Sequence, residues 1–231
     1  EHVLDIGCGA GATALSAAQQ VGADGRVVGV DISKPLLALG RQRASTRANV
    51  TFIEADAAAG ALPGAPFDAA FSRFGVMFFD DAVAAFTNIR ASLKPRGRLV
   101  FICWRPFPEN LWTYAVAQAL NRMLPEPLQP VDESLPGPFF FADPGKIETT
   151  LAAAGWSGGA VNAWDGPVLI GADAKDAAAY LLKIGPCARA IKENNLDPAA
   201  AEQVMIDRLA QAQTPEGVSL PAACWIVSAN A

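Results

Sequence analysis

Short apolar runs alternate with amphipathic segments along the first half of the chain. Apolar runs of strand length occur at residues 3–6, 26–30, 50–54, 67–79 and 97–104. Between them, apolar positions recur with helical spacing at residues 12–21, 34–47 and 81–93. We expect Asp80 to cap the helix at 81–93 and residues 94–97 to end it. This alternation predicts an α/β fold with a Rossmann-like, doubly wound, mostly parallel sheet.

Two insertions interrupt the alternation in the second half of the chain. Residues 105–141 contain a predicted helix at 111–124, and residues 172–214 contain two or three predicted helices. The first of the latter begins with a pair resembling a capping box, Asp173 and Asp176. We therefore expect one domain over residues 1–231, in which the insertions form a helical lid on a core at about 1–104, 142–171 and 215–231.

A glycine-rich turn directly follows the first predicted strand. Gly7, Gly9 and Gly11 alternate with small residues, and an alanine-rich helical segment comes next. Glycine permits unusual backbone angles and lets a ligand lie against bare peptide, while a helix N-terminus offers free N–H groups. Nicotinamide, flavin and S-adenosyl-L-methionine (SAM) sites all use such a turn, so the turn alone does not distinguish between these ligands.

Two acidic residues close the next two strands. Asp31 ends the second strand, where a carboxylate can accept hydrogen bonds from both hydroxyls of a ribose. Asp56 closes the third strand, in a place suited to the amino group of an adenine. Because open α/β sheets bind ligands at the carboxyl ends of their strands, a nucleoside site is predicted at this edge.

Different functions are compatible with these features. Gly7, Gly9 and Ala12 also satisfy the dinucleotide fingerprint, with Asp31 as the ribose acid, so an NAD(P)-dependent oxidoreductase is one alternative. Asp5 counts against it, because a charge so close to the first glycine would repel a pyrophosphate. A non-catalytic SAM-binding sensor or partner protein is another alternative, since no catalytic dyad or triad is evident.

The chain resembles the class I SAM-dependent methyltransferases in five ordered motifs, DIGCGAG, VGVDIS, EADA, FDAAFSRFGVMFF and KPRGRLVFICW. Within them it is similar to the small-molecule group that includes the ubiquinone/menaquinone-biosynthesis-like enzymes (methyltransferase type 11). The resemblance covers residues 1 to about 104 and continues more loosely through 136–156 and 220–230. It implies a seven-stranded sheet with an antiparallel last strand. It also implies methyl transfer from SAM to an O, N or C atom of a small, apolar or aromatic acceptor, with S-adenosyl-L-homocysteine (SAH) as product.

The resemblance also implies roles for individual residues. Asp5 and the three glycines would hold the methionine part of SAM, Asp31 would bind the ribose, and Ile32 would pack on the adenine. The adenine edge and the pocket after the fourth strand would be formed by Asp56, Ala57, Ser72, Arg73 and Phe74. Side chains expected to contact the acceptor are Met77, Trp104 and Phe139. No catalytic residue is assigned, because transfer from a sulfonium needs a general base only when the acceptor must first lose a proton.

Composition and charge bear on the partners, the location and the metal content of the protein. A net charge of −5 and a pI of about 4.9 disfavour nucleic acid as a partner. Neither a signal peptide nor an apolar run of the roughly 18 residues that a membrane helix needs is evident, so we expect a cytoplasmic protein without a membrane partner. Four cysteines without metal-ligand spacing predict buried free thiols and no metal. The chain begins on its first predicted strand, whereas related enzymes carry helices upstream, so we expect an open pocket.

Overall fold

A computed structural model describes residues 1–124, 126–127 and 131–231. The strands in chain order are β1 His2–Ile6, β2 Arg26–Asp31, β3 Val50–Glu54, β4 Phe67–Arg73, β5 Leu93–Trp104, β6 Ser157–Gly171, β7 Gln213–Thr214 and β8 Gly217–Asn230. The α-helices are α1 Ala12–Gln20, α2 Lys34–Arg43, α3 Ala82–Ala91, α4 Leu111–Leu120, α5 Pro144–Ala153, α6 Ala174–Leu181, α7 Gly185–Glu193 and α8 Pro198–Ala210. Short 3₁₀ turns lie at Val76–Phe78, Phe107–Glu109 and Asn121–Met123.

The sheet confirms the predicted α/β class. Its strands are ordered β3-β2-β1-β4-β5-β8-β6, and the two-residue β7 pairs with β8. The pairings from β3 across to β5 are all parallel, and β7 pairs antiparallel with β8. Most residues of β1 and β2 are buried, as strands covered on both faces must be. The strand order reverses between β1 and β4, and ligands of such sheets usually bind at this point, at the carboxyl ends of the strands.

The chain divides into two compact units. The first comprises residues 1–103, 133–162 and 225–231, and the second comprises 104–132 and 163–224. The expectation of a single domain with two lid insertions stays a prediction. None of the helices in the described ranges is long and apolar enough to cross a lipid bilayer.

Aromatic packing holds the first unit together around α3 and β5. The rings of Phe86, Phe101 and Phe141 are mutually packed, with centroids 5.5–6.1 Å apart. The indole N–H of Trp156 donates to Phe86 O at 3.0 Å, which gives this buried ring a polar partner. This packing therefore holds α3 against β5.

The second unit has a helical core of its own. Buried side chains of α4, α6, α7 and α8 form one cluster around Leu120, Leu181 and Met205. The predicted helical insertion thus contains three helices, and its capping pair is confirmed. Asp173 accepts from the Asp176 N–H at 2.8 Å, and Asp176 accepts from the Ala172 N–H at 3.0 Å. These bonds satisfy backbone donors that a helix start leaves free.

Several predicted boundaries were wrong. Helix α3 is capped by Asp81, whose Oδ1 accepts from the Ala84 N–H at 2.9 Å, and Asp80 lies one residue before this cap. Strand β5 begins at Leu93, so residues 94–97 belong to the strand, with Arg96 in the left-handed region at φ 65°. Other elements end earlier than predicted, among them α2, β4 and α4, which end at residues 43, 73 and 120. Part of the proline-rich stretch after α4 falls on residues 125 and 128–130, outside the described ranges.

Candidate functional site

The turn between β1 and α1 depends on its glycines for different reasons. Gly7, Gly9 and Gly11 have φ angles of 65°, 52° and 81°, values that strain any residue with a Cβ. A Cβ on Gly7 would lie 2.8 Å from Gly75 Cα, and one on Gly11 would overlap the Phe52 ring. The outer two glycines are therefore required by packing as well as by backbone geometry.

Gly9 is different because its Cα faces open space. A Cβ added there would approach only the Leu36 Cδ1 atom within 4 Å, at 3.9 Å. The Gly9 N–H donates to Asp31 Oδ2 at 2.8 Å, and the Ser33 N–H donates to Asp31 Oδ1 at 2.8 Å. Each carboxylate oxygen keeps acceptor capacity beyond these bonds. The turn thus presents bare backbone to a ligand, with a fixed carboxylate beside it.

Asp5 lies beneath the turn and is fully buried. Its Oδ2 accepts from the Thr13 hydroxyl at 2.7 Å, whereas its Oδ1 is buried without a hydrogen-bond partner. Burial raises the pKa of Asp5 to about 7, against the lowering effects of the Thr13 hydrogen bond and the Arg73 charge. An unsatisfied buried carboxylate oxygen is costly, and groups of this kind concentrate at functional sites.

The end of β4 is bound to the end of β1. Ser72 is buried, and its hydroxyl donates to Ile6 O at 2.8 Å and accepts from the Gly75 N–H at 3.2 Å. Phe74 adopts the left-handed region at φ 64°, and its N–H donates to Ile102 O at 3.0 Å. Non-glycine residues in this conformation carry strain that clusters at functional sites. Ser72 therefore has a structural task, and its predicted place in the pocket wall stays a prediction, as do those of Arg73 and Phe74.

Gly75 packs against the glycine turn, a contact that the sequence analysis did not anticipate. A Cβ on Gly75 would lie 2.7 Å from Ile6 O and 3.0 Å from Gly7 Cα, so two bare backbone segments meet here. The signal was present in the sequence, because Gly75 follows a strand that ends in polar and aromatic residues. It could have been interpreted as a position of close backbone approach.

The residues expected at the nucleoside end lie at the ends of β2 and β3. Ile32 is 74% exposed, unusually open for a large apolar side chain. The Ala55 N–H donates to Asp31 O at 3.2 Å, which brings the loop carrying Asp56 next to β2. Asp56 is exposed and its Oδ1 accepts from the Ala58 N–H at 2.8 Å. Ala57 is buried. The assignment of Ile32, Asp56 and Ala57 to an adenine stays a prediction.

The three predicted acceptor contacts differ in exposure, and their roles stay predictions. Met77 and Phe139 are both buried core residues, whereas the neighbouring Phe78 is 55% exposed. The 3₁₀ turn after β4 places Val76 and Met77 inward and Phe78 outward, an orientation that apolar composition alone does not reveal. Trp104, in the second unit, is partly buried and packs against Trp112 with ring centroids 5.2 Å apart.

Thiol chemistry has no support in this structure. All four cysteines are free and buried. Burial raises the pKa of Cys8 and Cys224 to about 12 and that of Cys187 to about 11, so these thiols stay protonated at neutral pH.

Within the described ranges, no three His, Cys, Asp or Glu side chains are grouped so as to hold a metal ion.

Comparison with known proteins places this geometry in a family. Residues 3–97 match the family described as methyltransferase domain. Aklanonic acid methyltransferase DauC of Streptomyces sp. strain C5 is 36% identical over 138 residues, covering 56% of this chain and 63% of that protein. Demethylmenaquinone methyltransferase of Thermus thermophilus is 35% identical over 127 residues, covering 54% and 57%. The chain spans about six-tenths of the length of these curated relatives.

The fold has a counterpart among solved structures. The YcgJ protein of Bacillus subtilis superposes with a TM-score of 0.60 at 18% identity, covering 99% of this chain and 91% of that one. The glycine turn, Asp31, Asp56 and the end of β4 all fall inside the matched residues 3–97. Together with the sheet order, this confirms the resemblance recognised from the motifs: residues 3–97 match a methyltransferase domain.

Proposed function

We propose that this chain transfers the methyl group of SAM to an O, N or C atom of a small, apolar or aromatic acceptor. One observation carries the proposal: the turn at Gly9 offers open backbone to a ligand while its N–H is held by Asp31. The names of the two relatives, which refer to aklanonic acid and demethylmenaquinone, support a small-molecule acceptor. The match to a methyltransferase domain supports methyl transfer over the NAD(P)-dependent alternative.

The residues present fit SAM in charge and in shape. The buried Asp5 Oδ1 has no partner in the described structure, and an ammonium group is the ligand chemistry that would satisfy it. The remaining acceptor capacity of Asp31 suits ribose hydroxyls, and the exposed Ile32 suits the face of a base. We assign cofactor binding to Asp5, Gly7, Gly9, Gly11, Asp31, Ile32, Asp56, Ala57, Ser72, Arg73 and Phe74.

Bound SAM would supply a methyl group already activated on a sulfonium. The task of this chain is then to orient the nucleoside and amino-acid ends so that the acceptor atom lies in line with the methyl carbon. Water must be kept from a site in which charge disappears during transfer. We assign no general base. His2, the sole histidine, lies at the start of β1, remote from the turn. Its ring centroid is 4.6 Å from that of Phe67, with the two planes tilted by 49°.

We assign acceptor selection to the insertions at 105–141 and 172–214, with Met77, Trp104 and Phe139 as the expected contact residues. Fold alone does not determine an acceptor, since insertions set the chemistry that a shared fold performs. We place the reaction in the cytoplasm. Four free, buried cysteines support a reducing compartment.

Calorimetric titration with SAM, SAH and NADH tests the proposal. SAM and SAH should bind and NADH should not, and Gly9→Val should abolish binding by filling the open space above the turn. Circular dichroism of the variant is the control for folding. Mass spectrometry of an acceptor panel incubated with SAM then separates a transferase from a non-catalytic SAM-binding protein. A chain that binds NADH and neither SAM nor SAH would refute the assignment.

A further inference from the structure

Helix α2 carries a row of exposed aliphatic side chains that have so far been assigned no role in binding. Leu36 is 44% exposed and Leu39 is 38% exposed, and Ile32 precedes them at helical spacing. Large apolar side chains grouped at a surface in this way commonly mark a binding site. The position of the row relative to the glycine turn indicates what could cover it.

Contacts along α2 show that the helix runs beside the glycine turn. The Arg43 guanidinium donates to Ala10 O at 3.1 Å, and a Cβ on Gly11 would lie 3.4 Å from Gly40 Cα. The first turn of α2 reaches Gly9, since Leu36 Cδ1 lies 3.9 Å from the position that a Gly9 Cβ would take. Leu36 thus borders the open space above Gly9.

We infer that Leu36 is a further cofactor-binding residue, which forms an apolar wall of the nucleoside subsite together with Ile32. This inference rests on the proposed function. Asp31, at the end of β2, is held against Gly9 and leaves acceptor capacity for ribose hydroxyls, so the nucleoside would lie between Asp31 and the start of α2. A ligand there covers the exposed face of Leu36. Leu39, a turn further along α2, lies outside this subsite.

The test compares Leu36→Ala with Leu39→Ala by calorimetric titration with SAH and with methylthioadenosine, which lacks the amino-acid tail. Because roughly half of a leucine side chain would be covered, Leu36→Ala should weaken binding of both compounds by about three- to tenfold. Leu39→Ala should leave both affinities unchanged. Leu36→Met, which keeps an apolar side chain of similar size, should bind both compounds as tightly as the unsubstituted chain does. Alanine favours helix, so both variants keep α2.

The outcomes separate this inference from the function on which it rests. If the unsubstituted chain binds SAH but Leu36→Ala binds it equally well, the inference alone is overturned. Equal losses in Leu36→Ala and Leu39→Ala also overturn it, because they would indicate a general disturbance of α2. Failure of the unsubstituted chain to bind either compound overturns both proposals. A loss confined to SAH, with methylthioadenosine unaffected, would place Leu36 away from the nucleoside and refute the inference.

Discussion

Replacing Asp5 with asparagine tests whether the ionised carboxylate beneath the glycine turn lowers the stability of the fold while raising its affinity for the ligand. Burial raises the pKa of Asp5 from 3.8 to about 7, so the folded chain holds this proton more tightly than the unfolded chain. The stabilising effect of protonation is complete below pH 3.8 and is lost as the pH rises to about 7. Above that pH the ionised Asp5 costs the folded state about 4 kcal/mol.

Asparagine keeps an oxygen for the Thr13 hydroxyl but cannot ionise. It also leaves a buried amide donor unsatisfied, at a cost of roughly 1–3 kcal/mol that does not depend on pH. The free energy of unfolding of Asp5→Asn, relative to the unsubstituted chain, should therefore rise by about 2–3 kcal/mol between about pH 5 and pH 8. Urea denaturation at several pH values measures this difference, because contributions from groups that do not interact with Asp5 cancel.

The control is Asp24→Asn, which removes the same charge from an exposed loop position and should change the pH dependence of unfolding far less. SAH binding gives a second measurement. At pH 8 Asp5→Asn should weaken it by about ten- to a hundredfold, the loss expected for a charge-assisted hydrogen bond. A relative stability that stays constant from about pH 5 to pH 8 would show that Asp5 ionises freely in the folded chain, and the argument for a strained carboxylate would be wrong.

Three further predictions concern residues around the same edge of the sheet. Asp31→Ala should weaken SAM binding by about ten- to a hundredfold in calorimetry, and an unchanged affinity would remove Asp31 from the site. Gly75→Ala should lower the free energy of unfolding by about 1–3 kcal/mol, because the added Cβ would lie 2.7 Å from Ile6 O; equal midpoints in urea would contradict this. Asp81→Ala should cost about 0.5–2 kcal/mol through loss of the α3 cap, whereas Asp80→Ala should cost much less, and the reverse order would restore Asp80 as the cap.

The features predicted well from the sequence are those that depend on neighbouring residues. Gly7, Gly9 and Gly11 between an apolar run and an alanine-rich segment identified the turn, since both the conformation and the helix start are local. Asp31 was placed correctly at the end of β2 for the same reason. Strand and helix alternation likewise gave the fold class, because buried parallel strands must be apolar on both faces.

The errors arose where distant contacts decide the outcome. Gly75 is required because it meets Gly7, a contact that no local pattern contains. Two adjacent aspartates precede α3, and the sequence pattern alone does not distinguish Asp81, the observed cap, from Asp80. Met77 is buried while the adjacent Phe78 is exposed, because a short 3₁₀ turn sets which side chain faces the core, and residue type does not reveal this. A one-residue rotation of this kind cannot be derived from composition.

The position of β8 in the sheet has a consequence for synthesis on the ribosome. Strand β8, residues 217–230, lies between β5 and β6 in the sheet. The edge of β5 opposite β4 therefore has no neighbouring strand until these residues leave the ribosome. Unpaired strand edges in nascent chains invite aggregation. A nascent chain released before residue 217 would leave the edges of β5 and β6 that pair with β8 bare, and such fragments should aggregate more readily than chains that include β8.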